Sequence, residues 1–227
     1  MTQSMTFDPH GRISVLHHGA DLDAASAAVI LVHGRGATAE GMIRLAYGLS
    51  EDLENPESIA FLAPQAVGNV WYPHRFIAPL EKNEPWLSSA LGALDQLVDA
   101  LVEANIPNER IMLAGFSQGA CLSLEYAARG SRSIGAVAAF SGGLIGPIDE
   151  PHMPLADVTG LPVFLGSGTV DDHVSPEQVR ESARLFEAAG ANVDLHIYEG
   201  MEHTVNDDEI AVASAMIGRL ENNARES

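Results

Sequence analysis

The sequence predicts an α/β fold, a mostly parallel central sheet with helices on both faces. Three observations predict it. Short apolar runs alternate with amphipathic helical patterns along nearly the whole chain. Most of those runs are uninterrupted, as strands covered on both faces require. No internal repeat or low-complexity tract breaks the alternation, so residues 1–227 are expected to form one domain of a size that buries a substantial core.

Taken in order, residues 1–11 read as a loose start, and residues 13–18 as an edge strand ending in His17-His18. No third ligand stands at metal-binding spacing from those two histidines, so they read as a strand-end pair. Residues 27–32 form a buried strand that runs into His33-Gly34-Arg35-Gly36. Thr38 then caps a helix with Glu40 in its first turn and Met42, Leu45, Ala46 and Leu49 on one face. Residues 59–63 are the next strand. Pro64, Pro73, Pro79 and Pro85 break up residues 64–86, a loop that also carries Trp71, Tyr72, Phe76 and Trp86. These rings either cover the core or wall a binding cleft; Trp71, Tyr72 and Phe76 are the candidates for an apolar substrate wall.

The spacing of Leu87, Leu91, Leu94, Val98, Leu101 and Val102 predicts an amphipathic helix that stops at Asn105-Ile106-Pro107. A buried strand over 111–114 leads into Gly115-Phe116-Ser117-Gln118-Gly119 and a helix with Ala120, Cys121, Leu124 and Ala127 on its inner face. Residues 134–140 are another strand, and 141–161 a second surface loop. Residues 162–166 are a short buried strand leading to Asp171-Asp172-His173. Ser175-Pro176-Glu177-Gln178 is a capping box with proline at the first helical position, and Gly190 stops that helix. Val193, Leu195 and Ile197 alternate with polar residues, which marks a one-sided strand near an edge. Asn206 and the acids after it open the last helix.

Composition narrows the function. The net charge is −19, from 31 acidic residues against 12 Lys and Arg, which argues against nucleic acid and against anionic membrane surfaces. No basic segment followed by an apolar core opens the chain, and no run is long enough to span a bilayer, so a cytoplasmic location without membrane insertion is expected. The single cysteine, Cys121, cannot form an intramolecular disulfide and reads as a small buried apolar residue.

The chemistry follows from topology. In an open parallel sheet, ligands bind beyond the carboxyl ends of the strands. Arg35, Ser117, Asp171 and His203 all follow such ends. Gly115 to Gly119 fits G-x-S-x-G, in which small residues let strand and helix approach and the serine is pushed out at the turn. A serine hydroxyl needs an adjacent base, which His203 can supply, and an acid such as Asp171 would hold the imidazole in the right tautomer. Backbone N–H groups of Arg35 and Gln118 would receive the oxyanion of a tetrahedral intermediate. Asp172 competes with Asp171 for the acid position, and His173 and His33 compete with His203. An Arg35 side chain pointing into the cleft would attract an acidic substrate.

Leu31 to Gly36, Gly115 to Ala120, Gly168 to Ser175 and Met201 to Val205 together resemble the carboxylesterase/phospholipase branch of the α/β-hydrolase superfamily, which includes acyl-protein thioesterases. The resemblance implies an α/β-hydrolase fold without a large cap domain. It also implies a Ser117, Asp171, His203 triad with the Arg35 and Gln118 amides as oxyanion hole. Asp171 stands three residues before Val174, as the family's acid does before its valine, with Ser175 in place of the usual proline. Arg35 stands where the thioesterases have an apolar residue, and the Trp71-Tyr72-Pro73 loop differs from theirs. The expected activity is hydrolysis of small to medium carboxylic esters through an acyl-enzyme, with no metal or cofactor and a small-molecule substrate as partner. Thioester, lysophospholipid and dienelactone-type lactone hydrolysis are the alternatives on this fold, and a non-catalytic binding module is the alternative outside it. The cleft is expected to be walled by residues 64–86 and 141–161. The sequence does not choose between monomer and homodimer.

Overall fold

The computed structural model describes residues 8–148, 150, 152–153 and 155–222. Part of the expected loose start, residues 1–7, lies outside them. Seven strands form one sheet: β1 (Val15–Gly19), β2 (Ala27–Val32), β3 (Ile59–Pro64), β4 (Ile111–Phe116), β5 (Ala136–Phe140), β6 (Pro162–Gly168) and β7 (Asn192–Tyr198). Their order is β1-β3-β2-β4-β5-β6-β7. Only β1 runs antiparallel, paired with β3; every other neighbouring pair is parallel.

Among the described residues five α-helices cover the sheet: α1 (Ala39–Glu51), α2 (Trp86–Glu103), α3 (Gln118–Arg129), α4 (Pro176–Ala188) and α5 (Asp207–Asn222). Strand periodicity divides the core in two. Ala28, Ile30 and Val32 of β2 and Ile111 and Leu113 of β4 face α2, α3 and α4. Ala27, Val29 and Leu31, with Met112 and Ala114, face α1 and α5. Every β2 residue is buried, which is why that strand shows no alternation in sequence. The edge strand β7 does alternate.

The helix boundaries follow local chemistry. Thr38 Oγ1 accepts from Gly41 N at the start of α1. Ser175 and Gln178 form the expected capping box on α4. Asn206 and Glu209 form a reciprocal pair at α5: Glu209 N donates to Asn206 Oδ1 and Asn206 N to Glu209 Oε2, both at 2.9 Å. Val102, expected on the inner face of α2, is exposed.

The start of the described chain is less loose than its sequence suggests. His10 is buried, stacked near Trp71 and Trp86, with Nε2 3.0 Å from Trp71 O. His17 and His18 lie in β1, where His17 Nε2 contacts Ala20 O and the His18 ring packs on Tyr47. No described helix is long and apolar enough to cross a membrane.

Candidate active site

The turn between β4 and α3 exists because of two glycines. A Cβ on Gly115 would lie 2.4 Å from the Gly119 backbone, and one on Gly119 would lie 2.0 Å from Val32 O. With hydrogen at both positions, α3 packs directly against the ends of β4 and β2. The residue between them, Ser117, is forced to φ 55° and ψ −118°. A positive φ at a non-glycine residue is held there only by its surroundings. Here Ser117 N donates to Phe140 O and Ser117 O accepts from Cys121 N. The side chain faces a cavity of ≈ 510 Å³ at the carboxyl ends of the strands. That volume falls within the range of small-molecule pockets.

His203 and Asp171 come from separate loops, after β7 and β6. Their approach depends on another glycine: a Cβ on Gly168 would sit 1.8 Å from Met201 O, so only glycine lets the two loops touch. His203 Nδ1 lies 2.7 Å from Asp171 Oδ2. An ionised carboxylate can only accept, so Nδ1 carries a proton, and in the neutral ring Nε2 is the nitrogen left to accept. The other carboxylate oxygen, Oδ1, accepts from the amides of His173 and Val174 at 2.8 and 2.9 Å. Burial pushes the Asp171 pKa up. The His203 hydrogen bond and the two amides together outweigh that, so the carboxyl sits below its ordinary value. Asp172, the competing acid, is exposed and only 3.7 Å from the His173 ring. The His203 ring is held by Phe116, 4.8 Å between centroids, and by the edge of His173 at 4.6 Å.

Ser117 and His203 line the same cavity. Among the described residues no hydrogen bond joins Ser117 Oγ to the imidazole. His33 does not line this cavity. Its Nε2 accepts from Ala66 N and its ring stacks on Trp71, so it supports the turn that carries Arg35.

That turn brings Gly34 against the serine, where a Cβ would lie 3.3 Å from Ser117 Cβ. Arg35 N–H, outside any helix or strand, makes no bond to another backbone group among the described residues. Gln118 N–H is the first amide of α3 and has no intrahelical partner to donate to. The Arg35 guanidinium does not reach freely into the cleft. It donates to Tyr72 O, Pro73 O and His74 O at 2.8, 3.0 and 2.6 Å. Desolvation there lowers its pKa from the ordinary guanidinium value.

Of the three aromatic candidates for a wall, Tyr72 and Phe76 line the cavity. Trp71 does not; it is fully buried, and its Nε1 donates to His33 O at 2.9 Å. The loop expected to form the second wall, 141–161, contributes no described lining residue. Residues 172–174 take its place, because the β6 loop must bend over the site to carry Asp171. Arg75, which lines the cavity, was missed in the sequence, and His173, another lining residue, was read there only as a rival base. Arg75 donates to His173 O at 3.1 Å and so links the two walls, and His173 edges the His203 ring. The only available signal for Arg75 was a rare cation beside Tyr72 and Phe76. Cys121 lies one helical turn beyond Ser117, buried, with its thiol pushed up to about 12 chiefly by desolvation. No group of three or more His, Cys, Asp or Glu among the described residues is arranged to hold a metal.

A doubly covered sheet of this order, with a strand–turn–helix at its middle strand, is an α/β-hydrolase fold. The chain belongs to the phospholipase/carboxylesterase family, whose sequence profile matches residues 19–220. Acyl-protein thioesterase 1 of Debaryomyces hansenii is 29% identical over 225 residues, covering 90% of this chain and 96% of that protein. A phospholipase/carboxylesterase from Dyadobacter fermentans has a crystal structure that matches with a TM-score of 0.82 at 39% identity, over 91% of this chain and 96% of that one. The carboxylesterase of Bacillus cereus shares the fold, with a TM-score of 0.71 at 20% identity over 96% of this chain and all of its own. This protein is accordingly an ester-hydrolysing enzyme of the esterase and thioesterase class.

Proposed function

We propose that the protein is a serine carboxylesterase acting on small to medium carboxylic esters through an acyl-enzyme. The observation that carries this reading is the 2.7 Å contact of His203 Nδ1 with Asp171 Oδ2, which leaves Nε2 basic in the cavity that Ser117 faces. Ser117 Oγ attacks the ester carbonyl carbon and His203 Nε2 takes the hydroxyl proton. The carbonyl oxygen becomes an oxyanion, which accepts from the Arg35 and Gln118 amides. The intermediate collapses, the C–O bond to the alcohol breaks, and the imidazolium returns its proton to that alcohol. Water then enters, loses a proton to His203 and attacks the acyl carbonyl; the acyl C–Oγ bond breaks, and the imidazolium returns its proton to Ser117 Oγ as the acid leaves. Ser117 closes on His203 when substrate fills the cavity, since catalytic hydrogen bonds tighten in the bound complex.

The test is a fluorophosphonate probe with a panel of p-nitrophenyl esters of varied acyl length. A stable adduct on Ser117, and a fall in kcat on the order of 10⁴ in Ser117→Ala, are expected. An unlabelled Ser117, or near-normal turnover in the alanine variant, overturns the reading and leaves a binding module in its place.

Thioester hydrolysis is the second reading. Relatives named acyl-protein thioesterase 1 align along almost their whole length. Relative rates on matched oxygen esters, thioesters and lactones rank the leaving groups. A thioester preference would move the assignment to that branch.

A further inference from the structure

Both residues whose amides form the proposed oxyanion hole also send a side chain to one and the same atom. Arg35 Nη2 and Gln118 Nε2 each lie 2.8 Å from the carbonyl oxygen of Tyr72. A carbonyl has two acceptor positions, and here one is filled from each half of the candidate oxyanion hole. The same Gln118 side-chain amide holds the chain just before Tyr72, since Trp71 N donates to Gln118 Oε1 at 3.0 Å. Gly36 N donates to Asn69 O at 2.8 Å, which ties the Arg35 turn to the same loop. Tyr72 and Gln118 are buried, so the Gln118 bond is shielded from water, while Arg35 reaches the same carbonyl from an exposed position.

We propose that the Tyr72 carbonyl is the brace that sets the spacing of the Arg35 and Gln118 amides, with the Arg35 and Gln118 side chains acting as positioning residues for the oxyanion hole. The proposal rests on the serine-esterase reading and deepens it. The physical reason is preorganisation. Donors aimed at a developing charge are effective only when they need not move as the charge appears. Arg35 belongs to a glycine-flanked turn after β2, and Gln118 to the first turn of a helix after β4. The β2–β4 pairing and the contact of Gly34 with Ser117 bring these two elements together, and the shared carbonyl adds a direct tie between them. A guanidinium suits this task because it reaches three successive carbonyls at once, and its bonds are charge-assisted. An apolar residue at position 35 would leave the loop carbonyls to other partners.

The experiment compares Arg35→Met, Gln118→Met, the double variant and Arg35→Lys on p-nitrophenyl acetate and on a matched anionic ester, the p-nitrophenyl monoester of succinic acid. Inhibition by a trifluoromethyl ketone, which binds serine hydrolases as a tetrahedral oxyanion, is read in parallel. Each methionine variant should lose on the order of tenfold or more in kcat with KM nearly unchanged, and equally on both esters. Ketone affinity should fall with kcat/KM. The double variant should lose clearly less than the product of the two single losses, because both act through one oxygen. Arg35→Lys should recover part of the rate.

Losses that multiply, a rise in KM alone, or undiminished ketone affinity overturn the brace. So does a loss in Arg35→Met confined to the anionic ester, which would make the guanidinium a charge-recognition group instead. If Gln118→Met does not fold, the exposed Arg35 series with the ketone decides alone. Fluorophosphonate labelling of Ser117 in the unaltered protein separates the two levels. A labelled serine with multiplying losses overturns only the brace, and an unlabelled one overturns the esterase reading with it.

Discussion

His203 and Asp171 meet through a single 2.7 Å contact, while the second Asp171 oxygen is held by two backbone amides of its own loop. The carboxylate therefore cannot rotate away from the imidazole without losing bonds at both oxygens. In the proposed mechanism its role is orientation, and the ring it contacts is already confined between Phe116 and His173.

Replacing Asp171 by asparagine should preserve the fold and reverse the tautomer. An asparagine that presents its NH2 group to Nδ1 moves the ring proton to Nε2, where it can no longer accept from Ser117. A fall in kcat on the order of 10³–10⁴ is expected, with far-ultraviolet circular dichroism unchanged. Loss of less than tenfold would mean that the pair does not work as a unit.

Glu209 carries a pH signature in stability. Burial is the main reason its pKa is raised to about 7, and its Oε1 finds no partner among the described residues. Its folded value lies above the ordinary carboxylate value, so the native state holds a proton that the unfolded chain releases. Stability should then fall as pH rises from about 4.5 to 7, by roughly 1–3 kcal/mol from this group. Glu209→Gln keeps an acceptor for Asn206 N–H and removes the charge. Urea unfolding at pH 5 and pH 8 should show a smaller pH-dependent loss in the variant. An identical loss in both proteins would assign the slope to other groups.

A methyl group at position 119 has nowhere to go. Its carbon would sit 2.0 Å from Val32 O, a backbone atom of a fully buried strand. Gly119→Ala should lose at least about 2 kcal/mol of stability, because α3 must lift from the sheet. It should also lose activity, because Ser117 moves with the helix. Gly92→Ala is the control, since a Cβ there meets nothing within 4 Å. That change should be neutral or stabilising by up to about 1 kcal/mol in thermal unfolding.

Cys121 should resist thiol reagents in the native protein. With its pKa pushed up to about 12, almost no thiolate exists at pH 8. Ellman's reagent should release no colour from the folded enzyme and one equivalent after denaturation. Rapid reaction of the folded form would show that the cavity opens to the level of α3's second turn.

Much of this architecture was legible in the chain before folding was considered. Strands over 27–32, 59–63 and 111–114 announce themselves because both faces are covered, so each position needs an apolar side chain. The capping box at Ser175 and the glycines at 115 and 119 are local signals, written within a few residues of where they act. Ser117 is read from the same short window. His10, by contrast, is buried through contacts with Trp71 and Ser89, far along the chain, and nothing near it in sequence announces that. The aromatic loop was ambiguous for the same reason. A tryptophan that fills the core and one that walls a cleft are the same residue until partners are known, and Trp71 went to the core while Tyr72 and Phe76 went to the cavity wall.

The sequence by itself determined the alternation of strand and helix, the turn that presents Ser117, and the set of side chains able to gather at one edge of the sheet. The family resemblance already implied Asp171 over Asp172, and the tertiary structure puts its carboxylate on His203; tertiary structure alone decided that the Arg35 guanidinium turns toward the Tyr72 carbonyl. The physical reason is range. Periodicity, capping and glycine spacing act over a few residues along the chain. The direction of a carboxylate or a guanidinium is set by donors and acceptors that folding brings from 30 to 40 positions away, such as Arg35 and Tyr72 at a separation of 37.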